Sequence, residues 1–254
     1  MAVLLTDGLG NRLFQIAAIL GYAERYCHTA VIVNDWNFRN KHSEIDYLPM
    51  LFPDIPRIST AEFGEFTEIH MTADEAFTWR ELPFHSGNVR LNGYFQNVRY
   101  IPAEPIFPRI LLEVPGVDMH SCAFLHVRRG DYIVYAEHAV PMDAYWQRCF
   151  ENVTCYIIIF SNDFEWCRQR FIGERFRFAP ASMNPLETLA AMARCRGGGI
   201  CANSSFSWWG AYFNTVIFGE AEGRIFFPDR WVNPPLPPAD GVYPPWASKV
   251  SVAE

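Results

Sequence analysis

Apolar positions along this chain fall into short unbroken runs and longer stretches spaced at three and four, and their alternation predicts a parallel α/β fold. Residues 2–6 read as a buried strand. Gly8-Leu9-Gly10-Asn11 then makes a tight turn, and residues 12–26 carry a helical stripe of Leu13, Phe14, Ile16, Ala17, Ile19 and Leu20. Asn11 stands where this helix begins, placed to cap it or to reach into a cleft. Residues 31–33 form a second short strand. Prolines at 49, 53, 56 and 83 break the pattern from residue 34 to about residue 90, an irregular stretch of the kind that builds acceptor contacts or packing loops. Residues 89–96 then predict a strand with an aromatic, amide-rich end, where Tyr94, Phe95 and Gln96 can line a sugar site, unless the Tyr and Phe pack in the core.

The second half alternates more clearly. Residues 121–127 have the look of a strand buried on both faces, followed by a helix over 142–151, a strand over 155–160 and a helix opened by Ser161-Asn162-Asp163. A helix over 185–195 comes next, then glycines at 197 to 199, a strand over 200–202, and a helix starting inside Asn203-Ser204-Ser205-Phe206-Ser207-Trp208-Trp209-Gly210. From residue 225 onward, seven prolines between Pro228 and Pro245 predict an extended or coiled tail. Prolines at 102, 105, 108 and 115 mark a junction, which divides the chain into domains at residues 1–112 and 113–254.

Composition narrows the function. The 254 residues leave room for two modest domains, and with half of them hydrophobic and 19% charged there is ample core. A net charge of −7 argues against a nucleic-acid partner, which needs a concentrated positive surface. The seven cysteines show no CxxC pair and no metal-ligand spacing, and several sit in apolar runs, which suits a reducing compartment. No basic leader and no apolar stretch of about 18–20 residues is present, so the expectation is a cytoplasmic protein without a membrane span.

The chemistry concentrates where the strand over 121–127 ends, in the run HVRRGDY. Arginine brings a planar fork of donors that suits paired phosphate oxygens. Alternation puts Arg128 on the face of His126, leaving Arg129 to pair with Asp131 or to pack in the core. The second cluster is the serine run at 204 to 207, where hydroxyls and unpaired backbone N–H groups at a helix start make a neutral anion cradle. One serine of the run can equally be an ordinary cap, with Trp208 and Trp209 as core anchors. Arg128 and the cradle together predict a pyrophosphate site.

Taken in order, GLGNRLFQIA, GYFQNVRY, HVRRGDY, FSNDFEWC and ANSSFSWWGAYF resemble the alpha-1,2-fucosyltransferases of glycosyltransferase family 11, over about residues 6 to 215. The resemblance implies a GT-B-like fold, two Rossmann-like domains with parallel sheets facing a cleft, the first holding the acceptor and the second GDP-L-fucose. It implies metal-independent, inverting transfer of fucose to the 2-hydroxyl of a galactose-like residue; no DxD triplet occurs, and no cofactor is expected. Arg128 matches the arginine that neutralises the leaving phosphate, Asn11 an asparagine facing the reacting centre, and His126 and Asp163 positions near guanine or ribose. Gly8, Gly10, Ser161, Asn162, Asn203, Ser204, Ser205, Phe206 and Ser207 complete the expected donor contacts, and Tyr94, Gln96 and Trp208 are the acceptor candidates. Asp131 joins the expected catalytic set, and the general base stays open among Asp131, Asp7 and His126. Two departures stand out: Arg12 follows Asn11 where the family commonly has glutamine, and Asn162 stands where many members have aspartate. Two rival readings are another GDP- or UDP-sugar donor and a non-catalytic glycan- or nucleotide-binding protein.

Overall fold

Each half of the chain turns the strand–helix alternation into parallel sheet, in a computed structural model that describes residues 1–36, 45–108, 119–220 and 224–254. By its contacts the chain divides into Met1–Ile110 with Asp240–Val242, and Leu111–Ala239 with Tyr243–Glu254. The expected junction at 112/113 lies outside the described residues.

In the first unit the order is β1 (Ala2–Val3), α1 (Leu9–Tyr26), β2 (Ile32–Val33), α2 (Leu48–Leu51), β3 (Arg57–Ile58), α3 (Thr60–Phe63), β4 (Phe66–His70) and β5 (Asn88–Asn92). Strands β1, β5 and β4 form one parallel sheet, and β2 and β3 another. Ile16 and Ile19 of α1 pack with Val3, Val89 and Leu91 in the core. The helix starts two residues earlier than the stripe suggests. Gly8 is its extended N-cap and Asn11 lies within the first turn, so Asn11 does not cap it. Strand β4 falls in the stretch read as irregular, because only Ile69 of its five residues is buried and no alternation shows. Strand β5 ends at Asn92, short of the expected residue 96. Gly93 (φ 150°) and Phe95 (φ 52°) bend the chain away, and a Cβ on Gly93 would sit 2.7 Å from the Met71 carbonyl oxygen.

The second unit adds β6 (Cys122–Val127), α4 (Asp143–Asn152), β7 (Tyr156–Ser161), α5 (Phe164–Arg170), β8 (Phe176–Phe178), α6 (Pro185–Arg194), β9 (Gly199–Ile200), α7 (Ser205–Phe218), β10 (Ile225–Pro228) and β11 (Ser248–Val250). They build a six-stranded sheet in the order β11-β10-β9-β6-β7-β8, parallel throughout. All six residues of β6 are buried. Its Ala123, Leu125 and Val127 pack with Tyr145, Trp146 and Cys149 of α4 and Cys167 of α5, whereas His126 faces Phe206 of α7. Gly199 is required by close packing, since a Cβ there would lie 2.1 Å from the Phe124 ring. On α7, Asn214 donates to the carbonyls of Met192, Ala193 and Cys195, satisfying the end of α6. The tail is not simply coil. It supplies β10 and β11, so the prolines interrupt two strands rather than replace them.

This strand order fixes where a ligand belongs. From β6 the chain proceeds to β7 on one side, and from β9 to β10 on the other. The carboxyl ends of β6 and β9, which are adjacent, are therefore the topological switch point at which open parallel sheets bind ligands. Among the described residues no helix is long and apolar enough to cross a membrane.

Candidate active site

Beyond Val127 the backbone leaves the sheet, and the HVRRGDY turn is pinned to the end of β7. The Arg129 N–H donates to Asn162 Oδ1 at 2.9 Å. Gly130 takes φ 52°, and a Cβ there would sit 2.4 Å from Asn162 Nδ2, so glycine is needed on both counts. Arg128 Nη2 lies 2.7 Å from Asp131 Oδ1, with its guanidinium 5.4 Å from the centre of the Tyr132 ring. Tyr132 in turn stacks on His138, ring centres 5.0 Å apart.

Arg129 does not pair with Asp131 as expected. Its Nε donates to Asp163 Oδ2 at 3.0 Å, and its guanidinium lies 4.0 Å from the Trp166 ring centre. The strand register explains the pairing: Val127 stands opposite Ser161, and two residues on, Arg129 reaches Asp163. Asp163 also caps α5, accepting from the Trp166 N–H at 3.1 Å, while its own N–H donates to Ser161 Oγ at 2.9 Å. Both of its oxygens are thus engaged within the protein.

His126 is 6% exposed, and its Nδ1 is buried without a hydrogen-bond partner. Burial first, and the charge of Arg128 second, push its pKa down to about 3. The imidazole is therefore neutral near pH 7. It offers a ligand an uncharged ring nitrogen, and it is too weak a base to remove a proton from a sugar hydroxyl.

At the end of β9 the expected donor set divides. Ser204 is the N-cap of α7 yet its side chain makes no cap hydrogen bond, and no acidic residue lies in the first turn. It hydrogen-bonds Tyr132 instead. Ser205 and Phe206 are partly exposed. Ser207, expected to contact donor, is wholly buried and accepts from the Ala202 N–H at 3.0 Å, tying strand to helix. Asn203 is also committed, donating to the carbonyls of His138 (3.1 Å) and Trp231 (2.9 Å). Trp208, an acceptor candidate, is 1% exposed among Trp209, Tyr212 and Trp246. It is a core residue, as its place on the buried side of an apolar helix dictates.

A cavity of about 310 Å³ opens beside the β6 and β9 ends, lined by Arg128, Arg129, Tyr132, His138, Trp146 and Asn203 among others. Sequence reasoning passed over Tyr132, His138 and Trp146. Tyr132 lay inside the motif already singled out; His138 carried no signal. His126, Ser204, Ser205 and Phe206 lie outside this lining.

The first unit gathers its candidates separately, at the carboxyl edge of β1 and β5. The Tyr94 hydroxyl donates to Asp7 Oδ2 at 2.6 Å, and Gln96 Nε2 donates to Asn11 Oδ1 at 2.9 Å. The Gly8 carbonyl accepts from the N–H groups of Asn11 and Arg12, and Gly10 is buried in the first turn. Arg12 is 2% exposed and 3.8 Å from Asp46; burial lowers its pKa, and Asp46 and Asp7 oppose the shift.

Comparison with known proteins agrees with this arrangement. Residues 110–217 match the model for Glycosyl transferase family 11. The chain is 24% identical over 288 aligned residues to an alpha-1,2-colitosyltransferase of Escherichia coli, covering 90% of this chain and 97% of that protein. It is 24% identical over 253 residues to a galactoside 2-alpha-L-fucosyltransferase of Caenorhabditis elegans, covering 84% and 69% respectively. Among solved structures its fold is similar to that of the NodZ alpha-1,6-fucosyltransferase co-crystallised with GDP, with a TM-score of 0.50 and 16% identity over 82% of this chain and 91% of that one. The parallel sheets, the HVRRGDY turn at a switch point and these likenesses converge: residues 110–217 are similar to glycosyltransferase family 11, the fold is α/β and GT-B-like, and the chain is a fucosyltransferase-like glycosyltransferase.

Proposed function

We propose that this enzyme moves L-fucose from GDP-β-L-fucose to the 2-hydroxyl of an acceptor sugar, galactose or a similar glycan residue, with inversion and without a metal ion. The observation that carries the reading is Arg128, held at the switch point by Asp131 and partly exposed, with a side chain 22% accessible. As the sugar departs, negative charge builds on the β-phosphate, and a pre-oriented guanidinium stabilises it without reorganising. The uncapped first turn of α7 adds backbone N–H donors and the positive end of a helix dipole. Neutral His126 supplies a ring nitrogen for the nucleoside end of the donor. In this reading the first unit, with Tyr94 and Gln96, meets the acceptor.

Phosphate contacts do not read the sugar, and a relative named as a colitosyltransferase favours keeping a second reading open: the same chemistry with another nucleotide-linked sugar. Calorimetric titration with GDP, GDP-L-fucose and UDP in metal-free buffer tests both. The expected result is preference for the guanine nucleotides, with Arg128→Ala weakening binding by about 30- to 100-fold, the loss of one charge-assisted contact of ~2–3 kcal/mol. Preference for UDP, a strict metal requirement or an indifferent variant overturns it.

A further inference from the structure

The cavity beside the β6 end has one wall that the donor contacts described above leave unused. Ala139, Val140, Pro141 and Met142, the run leading into α4, line it together with Arg128. None of these four side chains carries a hydrogen-bond donor, and much of their backbone is committed. The N–H groups of Ala139 and Val140 donate to the carbonyls of Tyr135 (3.2 Å) and His138 (2.8 Å), and Pro141 has no N–H. The carbonyls of Ala139 and Met142 accept from Asn233 Nδ2 at 3.2 Å and from the Trp146 N–H at 2.9 Å. A methyl group suits such a wall, whereas a hydroxyl placed there loses its water for little in return.

The loop that carries the wall is held in place. Asn203 Nδ2 donates to the His138 carbonyl at 3.1 Å, Asn233 Nδ2 donates to the Ala136 carbonyl at 2.9 Å, and the His138 ring stacks on Tyr132. Asp143, the next residue on, is drawn into a pair with Arg170 at 2.7 Å. A wall fixed in this way selects by shape and polarity without first having to order itself.

Which part of a nucleotide sugar meets this wall follows from the two sides of β6. His126 and Phe206 lie on the α7 side, outside the cavity lining. Met142 and Trp146 lie on the α4 side, and Arg128, directly after β6, borders the cavity. With the diphosphate on Arg128 and the nucleoside end toward His126, the sugar is the part left for the cavity. Its volume of about 310 Å³ is at the low end of ligand sites, ~300–1,000 Å³, and suits a monosaccharide better than a whole nucleotide sugar. Every residue of the lining belongs to the second unit.

We infer that the cavity holds the donor's sugar with its C6 methyl against the Ala139–Met142 run, so that this run selects 6-deoxy sugars over their 6-hydroxy counterparts. The inference rests on the transferase reading above and deepens it. The test compares GDP-L-fucose with GDP-L-galactose, which differ only by a hydroxyl at C6. Affinity for each is measured, together with GDP release in the presence of a panel of galactosides, and GDP affinity is the reference. Wild type is expected to favour GDP-L-fucose by about 10²-fold in kcat/KM, the discrimination an apolar pocket achieves against an added hydroxyl.

Two variants place that preference in the cavity. Met142 is the N-cap of α4 and its side chain makes no cap bond, so Met142→Ser puts a hydroxyl in the wall at a position where serine favours the helix. Val140→Thr keeps the shape and adds one hydroxyl. In each the preference is expected to fall to about tenfold or less, with GDP affinity within about threefold of wild type. A wild-type preference below about threefold, a preference unchanged in both variants, or GDP affinity falling in step with the preference each overturns the inference. A wild type that binds GDP yet releases none from GDP-L-fucose overturns the transferase reading and this inference with it, a result distinct from an active enzyme that accepts both sugars equally.

Discussion

Replacing His126 by Asn should remove a measurable part of the protein's acid sensitivity. The imidazole is buried beside Arg128 and its folded-state pKa is about 3, against about 6.5 for an unperturbed histidine. The unfolded chain therefore takes up the proton first. Stability from this residue is complete above about pH 7.5 and is lost as pH falls through 6.5 toward 3. Between pH 7.5 and pH 5 the unfolded imidazole becomes almost wholly protonated while the folded one stays neutral, a difference of about 2 kcal/mol. An asparagine has no such titration, and its amide keeps a polar atom near the position of Nδ1. Urea unfolding of both proteins at the two pH values reads the effect as a double difference, in which the titrations of the other histidines cancel. Wild type should lose about 2 kcal/mol more than His126→Asn over this interval. Equal losses would show that His126 is solvated or paired in solution, and would remove the argument that it is too weak a base.

Ser207 and Arg129 separate supporting residues from ligand-binding ones. Ser207→Ala leaves the buried Ala202 N–H without its acceptor, so unfolding free energy should fall by about 1–3 kcal/mol while GDP affinity at low temperature is retained; a weaker GDP complex at unchanged stability would return Ser207 to the donor site. Arg129→Ala breaks the contacts to Asp163 and Trp166, and thermal unfolding should show a loss of about 1–2 kcal/mol with GDP affinity reduced far less than in Arg128→Ala. Equal loss of GDP affinity in the two variants would refute the division of labour between the arginines.

What the chain disclosed before folding follows from how locally each feature is encoded. Strand β6 was legible because burial on both faces leaves a continuous apolar run, and α6 because Leu186, Leu189, Ala190 and Met192 fall on one side of a helix; the capping box of Asn184 and Glu187 emerged with the structure. Strand β4 was not, since only Ile69 among its residues is buried. Strands β10 and β11 were hidden by the prolines around them, Pro228 ending β10 and Pro244 and Pro245 standing just ahead of β11. The site shows the same division. The HVRRGDY run stood out in the chain itself, directly after the continuous apolar run of β6. The partner of Arg129 did not, because it depends on the register of β6 against β7. Asp7 and Tyr94, 87 positions apart, meet only through the pairing of β1 with β5 and the left-handed bend at Phe95.

Two successive arginines at one strand end pose an electrostatic question that the pairing answers. Left bare, they would hold a diphosphate through two full charges, and the product of the reaction is the more highly charged species. Here each has its own carboxylate, Asp131 for Arg128 and Asp163 for Arg129, and His126 adds no charge because burial keeps it neutral. The local formal charge is thus near zero, in keeping with a chain whose net charge is −7. What distinguishes Arg128 is geometry. Asp131 occupies one edge of its fork, and a guanidinium has five N–H donors, so further donors remain for a phosphate oxygen without breaking the pair. Arg129 is instead tied to α5, with Nε on Asp163 at the helix cap and its guanidinium beside Trp166. A fixed donor array of low net charge stabilises charge where it develops in the transition state, while holding the departed nucleotide less tightly than two unpaired cations would. Turnover needs both.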